Sequence, residues 1–142
     1  MSFIRAMKNK VTVGATAKVN LPDLGVFNLP ARVDSGAASC AISASFIDIY
    51  EDEQGPKLAV ILFDPDNQFY TGEKLIFDDF ILRNVRNSFG SKQERPMIET
   101  EIVVNKISHT ILIGFSNRSK LTYDMLIGRN LLELGFIVDV TK

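Results

Sequence analysis

The sequence predicts an all-β fold with one short helix near the C-terminus. Apolar residues recur with a period of two rather than the helical period of about 3.6. Turn-forming residues also break the chain at short intervals, and many short strands of this kind imply a sandwich or a barrel-like domain. The 142 residues amount to one ordinary domain, 1–142, long enough to bury a core.

Val11, Val13, Ala15, Ala17 and Val19 alternate with other residues and read as the first strand. Leu21-Pro22-Asp23-Leu24-Gly25 ends it in a turn. Phe27, Leu29, Ala31 and Val33 form the next apolar face, so Asp34 sits at the end of that strand and points away from it. Gly36 follows where the chain must turn. Cys40, Ile42, Ala44 and Phe46 resume the alternation. Further strands are predicted at 57–63, 74–82, 97–104 and 110–115, with Asp64-Pro65-Asp66-Asn67 turning between the first two. Segment 84–93 is polar, contains Gly90, and reads as a mobile loop or a hairpin tip. The end reads as a strand at 125–127, a helix of about two turns within 128–134, and a strand at 136–140. The chain shows no repeat, low-complexity tract or linker.

Composition narrows the function. A net charge of −1 with 46% hydrophobic and 23% charged residues suits a soluble globular protein. It argues against nucleic-acid or membrane binding driven by charge. The lone Cys40 allows no internal disulfide, and the lone His109 removes most zinc sites, so no metal or cofactor is expected. No apolar run approaches the roughly 20 residues of a membrane span, and 1–8 lacks the apolar core of a signal peptide. A cytoplasmic location is the expectation. Charge is uneven: from Asp48 to Asp79 there are nine acids against two lysines, and from Arg83 to Arg129 eight bases against four acids. Two solvated faces would explain this; so would a basic cleft for an acidic substrate.

Asp34-Ser35-Gly36 alone is a weak signal, because most such tripeptides are turns. Its context is stronger. An apolar strand delivers it, Ala37 follows it, and Leu126-Ile127-Gly128-Arg129-Asn130-Leu131-Leu132 supplies a second apolar-apolar-Gly element near the C-terminus. That pair resembles the retroviral and pepsin-type aspartic proteases, in which the second element closes a psi-shaped loop around the catalytic Asp. A closer resemblance, over nearly the whole chain, is to the RimK-associated retropepsin-like family, often labelled "ATP-dependent zinc protease". It rests on five motifs in order: Leu21 to Gly25, Ala31 to Ala37, Arg95-Pro96-Met97-Ile98, Asn117-Arg118, and Leu126-Ile127-Gly128-Arg129. The chain has neither a Gly-x-x-x-x-Gly-Lys-Ser/Thr phosphate loop nor a His-Glu-x-x-His pair, so the label itself finds no support in the residues.

The resemblance implies a closed acid-protease barrel and a specific chemistry. Two carboxylates about 3 Å apart share one proton around a water, because like charges that close cannot both ionise. The ionised member takes a proton from the water while the protonated one polarises the peptide carbonyl. Asp34 would be one of the pair. Ser35 would brace the loop with its hydroxyl, Gly36 would let backbone donors approach, and Ala37, Arg95, Arg118 and Arg129 would contact a peptide or protein substrate. One such Asp per chain calls for a symmetric homodimer. The retroviral pattern has an acid where Ala38 stands here, commonly paired with the Arg of the Gly-Arg element, so Arg129 must find another partner or face the cleft.

Other residues carry two readings each. His109 reads as a surface histidine in a turn, and Cys40 as a buried thiol rather than a nucleophile. Asp78-Asp79 and Asp64-Pro65-Asp66 cap loops or hold a cation. Asp124 is a structural partner for an arginine or the second carboxylate of a monomeric site, with Asp139, in the last strand, a weaker candidate. Arg95, Arg118 and Arg129 hold loops or grip substrate carboxylates with their planar forks. Segment 84–93 is a flap or an ordinary loop. Set against a peptidase are a non-catalytic peptide-binding module on the same fold and a structural β domain that keeps the motif.

Overall fold

The computed structural model describes residues 10–86, 90–118 and 120–142. Segment 1–8, examined for a signal-peptide core, lies outside them, as do positions 87–89 of the polar 84–93 segment. Strands dominate: β1 (Val11–Val13), β2 (Thr16–Leu21), β3 (Val26–Val33), β4 (Cys40–Asp52), β5 (Gly55–Leu62), β6 (Leu75–Phe77), β7 (Ile81–Arg86), β8 (Lys92–Val104), β9 (Ile107–Ser116), β10 (Met125–Ile127) and β11 (Phe136–Val138). One α-helix, α1 (Arg129–Leu132), is present among the described residues. It is one turn long rather than two, because Gly135, at a φ of 113°, swings the chain into β11.

The main sheet runs β10-β3-β2-β8-β9-β4, and β10 pairs again with β4, so the hydrogen bonds close a ring. β5 and β6 continue outward from β4, β7 flanks β8, and β1 and β11 form a separate parallel pair. The ring encloses the core, in which Leu21, Leu29, Ile42, Ile102, Ile113 and Phe115 are almost fully buried.

Several elements differ from the period-two reading, each for a local reason. Phe27 is 53% exposed instead of facing the core. Between the pairs Val19 to Leu29 and Leu21 to Val26, β3 carries one more residue than β2. This bulge turns Val26 and Leu29 inward and Phe27 out. It is held by Asn28, whose φ is 57° and whose N–H donates to the side-chain oxygen of Asn20 at 2.8 Å. A second bulge, between Ala44 and Phe46, turns Phe46 outward in the same way. The 74–82 strand is two strands, broken at Asp78-Asp79, where Asp78 reaches Lys57 at 3.9 Å. His109 lies in β9 rather than in a turn, its ring 5.7 Å from that of Phe136. The turn is Asn105-Lys106, both at positive φ, the geometry of a tight two-residue hairpin. Segment 84–93 belongs largely to the β7–β8 hairpin, whose pairing extends to Arg86 and Lys92. Asp139 follows β11 instead of lying within it.

β10 makes the site possible. Only three residues long, it runs parallel to β3 and antiparallel to β4 and bonds to both. Gly128 comes next, packed so tightly that a Cβ there would stand 2.5 Å from the carbonyl carbon of Ser39. That neighbour is backbone and cannot rotate away. Gly128→Ala is therefore expected to cost about 3 kcal/mol, read as a lowered urea midpoint. An unchanged midpoint would mean that β10 is not seated as described.

Candidate functional site

Asp34 follows directly on β3, and its own N–H donates to the Ile127 carbonyl of β10 at 2.9 Å. Its Oδ1 accepts the Gly36 N–H at 2.9 Å. A Cβ at Gly36 would stand 3.2 Å from that oxygen, so glycine keeps the approach clear. The Ala37 N–H closes the turn on the Asp34 carbonyl at 3.2 Å. The start of α1 then grips the loop from the other side. Arg129 N–H donates to the Ala37 carbonyl at 2.8 Å and Asn130 N–H to that of Ala38 at 3.2 Å. The Asn130 side chain accepts from Cys40 N–H at 3.0 Å and donates to the Leu112 carbonyl at 2.8 Å, tying the loop to β9 as well.

Arg129 finds the partner that the Ala38 position does not offer. Its guanidinium donates to the Ser35 carbonyl at 3.1 Å. It is exposed and braces the loop from outside the Asp34 cleft. Ser35 is thus held through its carbonyl, and Ala37 takes part through its backbone.

Asp34 opens into a cleft of about 870 Å³ that Arg95 and Arg118 also line. Arg86 and Gln93, within the 84–93 segment read as a flap or loop, line it too, as does Lys120, which sequence reasoning did not single out. The basic bias of the 83–129 stretch hinted at Arg86 and Lys120, but not at their convergence. Arg86, Gln93 and Arg95 come from the β7–β8 hairpin, Arg118 and Lys120 from the segment after β9. The cleft lining therefore holds four cations and a single carboxylate, Asp34.

The two central arginines are partly desolvated. Burial pulls the pKa of Arg95 below its ordinary value. Its Nε is buried with no hydrogen-bond partner among the described residues. Its stem crosses Gly114, where a Cβ would come within 2.5 Å of Cδ. Arg118 is pulled down first by burial and then by the charge of Arg95, and held up by Asp124 and Asp34. Its N–H donates to the Ser43 hydroxyl at 3.1 Å and its Nε to the Tyr123 carbonyl at 3.3 Å. Ser43, buried in β4, also donates its own N–H to the Asp124 carbonyl, and no local sequence pattern marked it out.

Asp124 does not join Asp34. It accepts the Asn67 amide at 2.6 Å and lines a different cavity, beside Leu29 and Tyr123. Burial raises its pKa, the Asn67 hydrogen bond opposes this, and Asp64 adds to the rise. Asp139 is bonded to Thr141 and lies outside the cleft lining.

The ring of strands and the strand-borne Asp-Ser-Gly under an inserted Leu-Ile-Gly strand define the retropepsin-like class of folds. Residues 12–142 match the family model described as RimB-like, "Retropepsin-like aspartic endopeptidase RimB", and the chain belongs to that family. Two similar proteins, each named "Probable alpha-L-glutamate ligase", come from Parasynechococcus marenigrum and Shewanella pealeana. Both are 29% identical over 94% of this chain. The chain spans only 28% and 29% of their lengths. A crystal structure of a Legionella pneumophila protein of unknown function has the same fold. It has a TM-score of 0.69 and 23% identity, over 93% of this chain and 95% of that one.

The cradle leaves a chemical mark on Cys40. Its sulfur accepts the Gly128 N–H at 3.4 Å, yet burial outweighs this and pushes the thiol up to about 11 from 9.0. The stability this group contributes is full below pH 9 and lost as pH rises towards 11, because the unfolded thiol ionises first. Between pH 8 and 10.5 the wild type is expected to lose up to about 2 kcal/mol more than Cys40→Ala does. Chemical denaturation at the two pH values checks this; parallel losses would show that Cys40 does not ionise on unfolding.

Proposed function

We propose that the chain is an aspartic endopeptidase acting on acidic peptide segments, with Asp34 from each of two copies forming the carboxylate pair and the closed ring serving as the acid-protease barrel. The observation that carries this reading is a cleft with one carboxylate and four cations around it. A water-activating dyad needs a second carboxylate, and a two-fold axis beside Asp34 supplies it. The Gly36 N–H on Oδ1 fixes the orientation of the carboxylate, so the other oxygen is free to face the water. Ser35, next to Asp34 and exposed, would stand at that axis with its loop braced by Arg129.

Arg95 and Arg118 give the cleft its preference. Two partly buried guanidiniums that repel one another gain from an anion between them, and a carboxylate side chain matches their planar donors. The glutamate-ligase name of the longer relatives fits: a hydrolase beside such a ligase would meet glutamate-bearing chains as substrate. The β7–β8 hairpin, which brings Arg86, Gln93 and Arg95 to the cleft, would act as the flap over a bound peptide.

Cleavage of a glutamate-rich and a mixed-sequence peptide, followed from pH 3 to 8, tests the proposal. Wild type is expected to cut the glutamate-rich peptide preferentially, with specific activity rising with protein concentration as dimers form. Asp34→Asn is expected to be inactive yet folded. Arg95→Gln and Arg118→Gln should each raise KM for the acidic peptide on the order of tenfold, with a smaller effect on the mixed one. A folded wild type that binds the acidic peptide without cutting it at any pH would instead establish a peptide-binding module.

A further inference from the structure

β4 changes neighbours along its length. Its first residues lie between β9 and β10, but from Ser45 to Asp52 it pairs with β5 alone among the described residues. Every residue from Ser45 to Asp52 is exposed. Phe46, Ile47, Ile49 and Tyr50 show between 36% and 45% of their surface to solvent. Strand edges left this way usually carry a lysine, a proline or a covering loop to prevent pairing with other chains. This edge has no lysine, arginine or proline between Ala44 and Gln54. Its charges are all negative: Asp48, Glu51, Asp52 and, just beyond, Glu53.

These features select the occupant. A second copy pairing antiparallel through the same edge about its middle, near Ile49–Tyr50, would set Asp48 of each copy opposite Glu51 or Asp52 of the other, which like-charge repulsion opposes. A strand that alternates lysine or arginine with apolar residues would satisfy the open backbone groups, the apolar side chains and the charge together. The surface already shows one such contact: the Lys74 ammonium lies 5.1 Å from the Phe46 ring. None of the residues 45–52 lines the cavities that contain Asp34.

We propose that the β4 edge, residues 45–52, docks an extended basic segment of a partner protein as an added strand. The full chain is titrated with a fluorescent peptide of about ten residues alternating lysine and valine, and with the same peptide carrying threonine for lysine. Saturable binding of the lysine peptide alone, weakened by salt and slowing amide exchange at 45–52, is the expected result. Reversing the charges, Asp48→Lys with Glu51→Lys, is expected to weaken binding at least about tenfold with the melting temperature kept. If that variant unfolds early, the single edge change Ile49→Lys is read instead. Equal binding of the threonine peptide, or protection elsewhere on the molecule, would overturn the proposal. So would a wild-type dimer that Ile49→Lys dissociates and the lysine peptide does not compete for. Asp34→Asn binds the peptide like the wild type, which separates this result from the fate of the peptidase reading.

Discussion

Three residues, Met125–Ile127, hold hydrogen bonds to two strands at once, and the ring of strands closes only through them. Remove them and β3 and β4 each present an unpaired edge beside Asp34, and buried backbone groups without partners are costly. The requirement explains the residues around β10. Gly128 is glycine because the Ser39 backbone occupies the space of a side chain. Asn130 is a side chain able to accept and donate because it must serve β4 and β9 in opposite senses. Arg129 is long because it has to reach the Ser35 carbonyl. The loop that carries Asp34 is therefore fixed by contacts from β10 and α1 together with its own Gly36 and Ala37 N–H groups.

The same economy of space governs the cleft. Arg95 can lie across β9 because Gly114 offers no side chain. Arg118 can approach because Ser43 takes its N–H. Two elements far apart in sequence, the β7–β8 hairpin and the segment after β9, thereby face each other with like charges across a lone acid. Folding tolerates this repulsion because the arginines remain partly hydrated.

Much of this was legible in the sequence, and what was not has a common cause. The alternation over 11–19 merged β1 with the start of β2, the strands read at 57–63, 110–115 and 125–127 correspond to β5, β9 and β10, and the Leu21 to Gly25 turn appeared where proline and glycine put it. The five motifs led to the family and to Asp34 with Arg95 and Arg118 in one cleft. The misplaced faces of Phe27 and Phe46 come from bulges, which shift the register by one residue without a compositional signature. The extension of β4 to Asp52 was hidden because its outer half has no core to alternate against. Arg86 and Lys120 were unremarkable as sequence and became notable only once tertiary pairing brought them together. Local pattern specifies strands; which distant side chains meet depends on pairing between strands that no local window contains.

The brace between Arg129 and Ser35 joins residues 94 positions apart, whereas β4 to β5, β7 to β8 and β8 to β9 join neighbours along the chain. Closing long loops costs more entropy than closing short ones, and contacts of high sequence separation form slowly. Asp34 is synthesised well before the residues that hold it, Met125–Ile127 and Arg129. Without those residues the Asp34 loop lacks the Ile127 carbonyl that takes its N–H and the Arg129 brace on Ser35. The geometry that could make it reactive is thus conferred by residues far downstream of the loop itself, Met125–Ile127 and Arg129.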